Sequence, residues 1–229
     1  MNSSNANLSS ERRTTANEIF DRLQADIVAM RLPPGTKVSE SEIAKQHGVS
    51  RQPVREAFIQ LNNLGLLQVR PQRATLVRKI SIQGILNARF IRTAVEIEVI
   101  RKACKVATEK DFDQFETNLK AQKRAVIAND SAKFYSLDYD FHHLICTSAD
   151  SDFAFATIAE GKSQVDRLSM IHLSDKKGML ALVDDHSQIF EAFRRRNVRS
   201  MIDLTRSHLS RLDSILKIAC EEHSEFFED

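Results

Sequence analysis

Apolar positions in the first third of the chain fall into short helical stripes. Over 15–30, Ile19, Leu23, Ile27 and Met30 recur at spacings of four, four and three, the period of an amphipathic helix. Leu32-Pro33-Pro34-Gly35 stops that helix in a turn, since proline cannot continue a helix interior. Ser39 opens a second helix, and Glu42 three residues on predicts a capping box. That helix carries Ile43 and Ala44 and ends at Gly48, where a left-handed stop is cheap. Ser50 caps a third helix with Pro53 in its first turn, a position proline tolerates. Val54, Ala57, Phe58 and Leu61 form its expected buried face, and Gly65 ends it. Two β-prone runs, 66–70 and 75–78, flank Pro71-Gln72-Arg73-Ala74 and read as a hairpin.

Beyond Pro71 the pattern changes. The remaining 158 residues hold no proline and only three glycines, Gly84, Gly161 and Gly178, so this stretch reads as helical throughout. Segments 183–195 and 200–219 are expected to pack as neighbouring antiparallel helices joined near Arg196-Asn197. A short linker over 79–83 marks the boundary. The expected organisation is a flexible tail over 1–14, a first domain over 15–79 and a second over 80–229. The fold class is mostly α: an N-terminal winged helix-turn-helix (three helices plus a small β-hairpin) followed by an all-α antiparallel helical bundle.

Composition narrows the setting. With 42% hydrophobic and 28% charged residues, the chain has a real core and is not intrinsically disordered. No apolar run approaches the ~20 residues that cross a bilayer. The polar start, Met1 to Ser10, lacks the apolar stretch of a signal peptide. Three cysteines without CxxC spacing (Cys104, Cys146, Cys220) argue against a disulfide framework or zinc ribbon and for a reducing cytoplasm.

Charge separates the two halves. Residues 1–80 carry 12 Lys and Arg against 7 Asp and Glu, whereas residues 81–229 carry 21 against 24. Between Arg51 and Lys79 six basic residues face only Glu56. A basic unit beside an acidic one points to a polyanionic partner for the first alone. In a winged helix-turn-helix the N-terminal end of the third helix enters the major groove. Arg51, Gln52 and Arg55 lie there. Arginine can fork onto guanine and glutamine onto adenine. Arg70 and Arg73 in the wing can reach a phosphate or the minor groove. One such module reads a short half-site, so the expectation is a homodimer on a palindromic double-stranded operator. The competing reading is a three-helix protein-interaction module with a solvated basic face.

These residues resemble the GntR family of bacterial transcription regulators. The match runs through Leu32-Pro33-Pro34-Gly35-Thr36-Lys37-Val38-Ser39-Glu40-Ser41-Glu42-Ile43-Ala44, then Gly48-Val49-Ser50-Arg51-Gln52-Pro53-Val54-Arg55-Glu56-Ala57, then Leu64-Gly65-Leu66-Leu67. The resemblance implies DNA contacts by Arg51, Arg55 and the wing tip. Ser41 stands where many relatives have an arginine, and Ala74 where the wing often has a glycine. The second half resembles the FCD effector domain of the FadR subfamily. Arg92-Thr93-Ala94-Val95-Glu96 fits its opening Arg-x3-Glu, Asp138 to His142 its Asp-x3-His, and Asp185-His186 and His208-Leu209 its two later histidine positions.

The resemblance implies a divalent-metal set of Asp138, His142, His186 and His208. Asp138 and His142, at i and i+4, share a helix face, and an antiparallel pair of helices can bring His186 and His208 level. Zinc is the first candidate, with nickel, manganese or iron also compatible with imidazole and carboxylate. Coordination left open is where a small carboxylate effector would bind. Arg92 is either a fork for that carboxylate or the i, i+4 ion-pair partner of Glu96. His143 points away from His142 on the helical wheel, and His47, His172 and His223 lack partners at useful spacing. Arg194-Arg195-Arg196 reads most simply as a complement to a helix C-terminal dipole. The expected function is an effector-controlled transcription regulator and not an enzyme. A structural or metal-sensing site, or a metal-dependent hydrolase or oxygenase, are the alternatives.

Overall fold

The computed structural model describes residues 14–70, 73–172 and 176–228, His172 by its backbone alone. Most of the expected tail therefore lies outside the described residues, as do Pro71, Gln72 and the side chain of His172. The chain folds into two compact units. One holds Gly35–Arg78 with the chain up to Ile27; the other holds Lys79–Asp229 with Val28–Pro34.

In the first unit, helix α1 (Thr15–Val28) buries Ala16, Ile19, Leu23 and Ile27. Met30, expected to close that stripe, instead lies past the helix with φ 59; the chain turns before Pro33-Pro34 rather than at it. Strand β1 (Lys37–Val38) precedes α2 (Glu40–His47) and α3 (Arg51–Asn63). Gly48 ends α2 at φ 65, its N–H donating to Ala44 and Lys45 carbonyls. The expected capping box on α2 does not form, because the Ser39 hydroxyl is engaged with Ser41 Oγ at 2.7 Å. On α3 the buried set is Val54, Ala57, Phe58 and Leu61, the face the spacing predicts. The hairpin strands β2 (Leu67–Gln68) and β3 (Thr75–Val77) pair antiparallel, and β1 adds on the other edge of β3 to give the order β1-β3-β2. Ala74 is not among the described residues with positive φ, so the wing does not need a glycine there.

The second unit opens with β4 (Ile80–Ser81) and continues as α4 (Ile82–Val106), α5 (Glu109–Ile127), α6 (Ser131–Thr147), α7 (Asp152–Ala159), α8 (Lys162–His172), α9 (Lys176–Arg194) and α10 (Val198–Glu222). A 3-10 turn over Ser224–Phe226 leads into β5 (Phe227–Glu228). The expected linker over 79–83 is thus no loose hinge. Ile80 pairs in parallel with Phe227, Ser81 with Glu228, and the Ser81 hydroxyl caps α4 by accepting from Gly84 N.

The bundle core centres on Phe115, whose ring lies 5.2 Å from Phe141, 5.6 Å from Phe190 and 5.3 Å from Phe193. Four apolar side chains from α5, α6 and α9 thereby lock those helices in register. Arg196 sits in the α9–α10 turn at φ 53. Its guanidinium donates to the carbonyls of Cys104 (2.9 Å) and Ala107 (2.7 Å). Arg196 therefore serves the C-terminal end of α4, while Arg194, in the last turn of α9, pairs with Glu116 at 3.0 Å and Arg195 with Glu191 on its own helix.

Candidate metal centre and nucleic-acid interface

Helix geometry explains why four distant residues meet. His186 stands ten residues before Arg196 and His208 twelve after it. At about 1.5 Å per residue both histidines lie about 15–18 Å from the turn, hence at one level of the antiparallel pair. Asp138 and His142 share a face of α6, which packs beside α9. One donor atom from each of Asp138, His142, His186 and His208 lies within 4.8 Å of the others. Phe141 floors the site, its ring stacked on His186 at 4.3 Å.

Each imidazole is oriented from behind. His142 Nδ1 lies 3.0 Å from Glu96 Oε2, His186 Nδ1 2.9 Å from Gln122 Oε1, and His208 Nδ1 3.2 Å from Asp185 Oδ2. Burial alone would raise Glu96, but the neighbouring His142 and Arg92 hold it well below the usual carboxylate range. Likewise, hydrogen bonds from His208 and Arg211 outweigh burial and hold Asp185 at about 2. Ionised carboxylates only accept, so His142 and His208 donate from Nδ1. The Gln122 amide is oriented by its own Nε2, which donates to Asn118 Oδ1 at 2.7 Å, so its oxygen accepts from His186. All three rings are therefore held outward by Nδ1, which leaves Nε2 as the nitrogen available to the cluster. Burial lowers the pKa of His142, and lowers that of His186 much further, which keeps both neutral, the form that binds metals. Nε2 of His142 and of His186 are buried without a hydrogen-bond partner; the latter sits 3.3 Å from Asp138 Oδ1 without hydrogen-bond geometry. Orphaned inward nitrogens backed by outward Nδ1–H bonds are what a first-row divalent cation requires, and the donor set fits one.

A cleft of about 70 Å³, partly open to solvent, adjoins this cluster and is lined by Arg92, Asp138, His142 and His208. Arg92 is paired within its own helix. Its Nε donates to Glu96 at 2.7 Å, the intramolecular pair, while the residue also faces the cleft. His143 is outside the cluster and meets Asp152 at 3.2 Å.

In the first unit, Arg51, Gln52 and Arg55 lie on the opening turns of α3, with the two arginine side chains 63% and 55% exposed. They are not idle. Glu40, at the start of α2, accepts from Arg51 Nη2 at 2.9 Å and from Arg55 Nε and Nη2 at 3.3 Å. Hydrogen bonds from Arg55 above all, opposed by burial and aided by Arg51, lower the Glu40 pKa. Gln52 donates to Glu56 at 3.0 Å. Arg70 and Arg73 are exposed on the segment between β2 and β3.

Sequence reasoning missed Glu40, Gln122 and Asp185 as orienting groups. Asp185 was legible only as the neighbour of His186, and nothing local marks Gln122, which reaches His186 from a separate helix.

Comparison with known proteins agrees with this architecture. The family described as "Bacterial regulatory proteins, gntR family" matches residues 15–77, and the "FCD domain" matches residues 88–211. The HTH-type transcriptional repressor RspR of Escherichia coli (strain K12) is 36% identical over 212 residues, covering 93% of both chains. An HTH-type transcriptional regulator from an unstable DNA locus of Streptomyces ambofaciens is 29% identical over 197 residues, covering 86% of this chain and 83% of the relative. In fold, the chain resembles E. coli McbR/YncC with a TM-score of 0.74 at 17% identity, over 89% of this chain and 97% of that one. At 36% identity over 93% of both chains, RspR shows the family: the chain belongs to the GntR family of transcriptional regulators, DNA-binding proteins and not enzymes, with a C-terminal FCD domain.

Proposed function

We propose that this regulator is a cytoplasmic homodimeric repressor whose affinity for a palindromic operator is set by a small organic acid bound beside a divalent metal in the helical domain, residues 80–229. The observation that carries this is the inward Nε2 set of His142, His186 and His208 with Asp138, each ring fixed from behind, at the edge of an open cleft. A divalent cation there supplies positive charge where water is scarce, which attracts a carboxylate. Arg92, anchored by Glu96, adds a second cation on the cleft wall. Repression as the direction of control rests on the repressor activity named for RspR.

The route from site to linker is short in topology. Helix α10 carries His208 and leads through Ser224–Phe226 into β5, which is hydrogen-bonded to β4, one residue beyond Arg78-Lys79. An effector that binds one arrangement of α10 more tightly shifts the population toward it, and only by its differential affinity. A coupling of ~1–3 kcal/mol changes operator affinity ~5–150-fold.

The test is calorimetric titration of intact and metal-stripped protein with a panel of carboxylates, followed by gel shift on the operator with each acid that binds. Metal-dependent binding together with a changed operator affinity is expected. An acid that binds both forms equally refutes capture by the metal; one that binds without altering operator affinity refutes the switch. Light scattering at micromolar protein should give a dimer.

A further inference from the structure

The cleft next to the four-residue cluster has a charge balance that no single pair reveals. Its cationic side chains are each already matched. Arg89 Nε lies 2.9 Å from Asp213, Arg92 Nε 2.7 Å from Glu96, and Arg211 Nη2 2.7 Å from Asp185. Lys162 is bound to Asp166 one helical turn on, and its ammonium also lies over the Tyr139 ring, 4.6 Å from the centroid. Each of the four cations is thus paired with a carboxylate, Asp166 within the cleft and Asp213, Glu96 and Asp185 behind its lining. Asp138 is the charge left over, so with a divalent cation in the cluster the balance is a single positive charge.

One wall of the cleft is apolar. From His208 the wall continues along α10 through Leu209, Leu212 and Ile215, positions that share one helix face and extend about 10 Å from the cluster. Val165 on α8 and Ile158 on α7 line it as well. A second carboxylate carried along this wall would be desolvated with no unmatched cation to meet it, which is strongly unfavourable. A hydrocarbon body there gains by burial.

We infer that the cleft selects a monocarboxylate with an apolar body over dicarboxylates, tricarboxylates and polyhydroxy acids, with the Lys162–Asp166 pair as the element that rejects a second negative charge. This rests on the metal-assisted carboxylate reading above.

Full-length metal-loaded protein is titrated calorimetrically with the series acetate to hexanoate and with succinate, glutarate, citrate and gluconate. Affinity should rise ~4-fold per methylene along the early series, and butyrate should bind at least ~10-fold more tightly than succinate, the range expected when an unmatched charge is buried. Asp166→Asn leaves Lys162 unmatched and should shift the succinate-to-butyrate affinity ratio ~10-fold towards succinate. Succinate or citrate binding as tightly as butyrate in a metal-dependent way overturns the selectivity and leaves the metal-assisted reading standing. An affinity flat along the chain-length series overturns the apolar wall. No binding of any carboxylate to metal-loaded protein overturns the metal-assisted reading and this inference with it.

Discussion

Adding a divalent metal to chelator-stripped protein should raise the melting temperature of the helical domain, and the structure sets the size. Without a cation, Nε2 of His142 and His186 are buried unpartnered, and each such group costs about 1–3 kcal/mol. At free metal one hundred times Kd the folded state gains about 2.7 kcal/mol. For a domain of this size each kcal/mol moves the transition about 2–4 °C, so the expected shift is about 5–11 °C. Two variants divide the contributions. His186→Ala removes a donor and should abolish the metal-dependent shift. Gln122→Met keeps the packing volume but removes the acceptor for His186 Nδ1. Loss of such an orienting partner lowers metal affinity about 10–100-fold, so at the same free metal the gain falls to about 0.4–1.4 kcal/mol. Differential scanning fluorimetry with zinc, nickel, manganese and ferrous iron, and with magnesium as the control ion that imidazole does not favour, makes the comparison. An equal shift in wild type and His186→Ala refutes the site; a full-size shift in Gln122→Met refutes the orienting role of the glutamine.

Three further outcomes are expected. Arg51→Ala should weaken operator binding by about 1–3 kcal/mol if the fork reaches a base edge, and operator affinity unchanged in both Arg51→Ala and Arg55→Ala refutes the docking by α3. Phe115→Ala empties the junction between Phe141, Phe190 and Phe193 and should cost about 3–5 kcal/mol in chemical denaturation, where a loss below about 1 kcal/mol on that scale contradicts the central core. Burial pushes the Cys146 thiol up to about 12 and also raises Cys104, so a thiol reagent at about pH 8, near the ordinary thiol pKa, should label half-buried Cys220 first and reach the others only in denaturant; equal labelling rates in single-cysteine variants would contradict this.

The winged unit was legible because its signals are local. The stripe Ile19-Leu23-Ile27, the left-handed stop at Gly48 and the buried face of α3 each follow from spacing within one helix. Local signals failed where a neighbour competed: Ser41 engages the hydroxyl that Ser39 was expected to use as a cap. Strand β1 has two residues and no alternation to read, and exists only because β3 lies beside it. In the bundle, His142 is found from its i, i+4 partner, whereas Gln122 is defined by a contact across helices that no period encodes. The arginine run does serve a helix end, but Arg196 reaches the end of α4, a choice fixed by how the helices pack.

The parallel pair β4–β5 also orders events in time. A growing chain emerges N-terminus first at about 5–20 residues per second, so Ile80 waits roughly seven to thirty seconds for Phe227 to be synthesised. The winged unit has its sheet partners within residues 37–77 and needs nothing from the later chain to complete them. On the ribosome, the winged unit can therefore be assembled before the helical unit is closed. In that interval Ile80 and Ser81 are an unpaired edge, and at two residues the edge is too short to template association with another nascent chain.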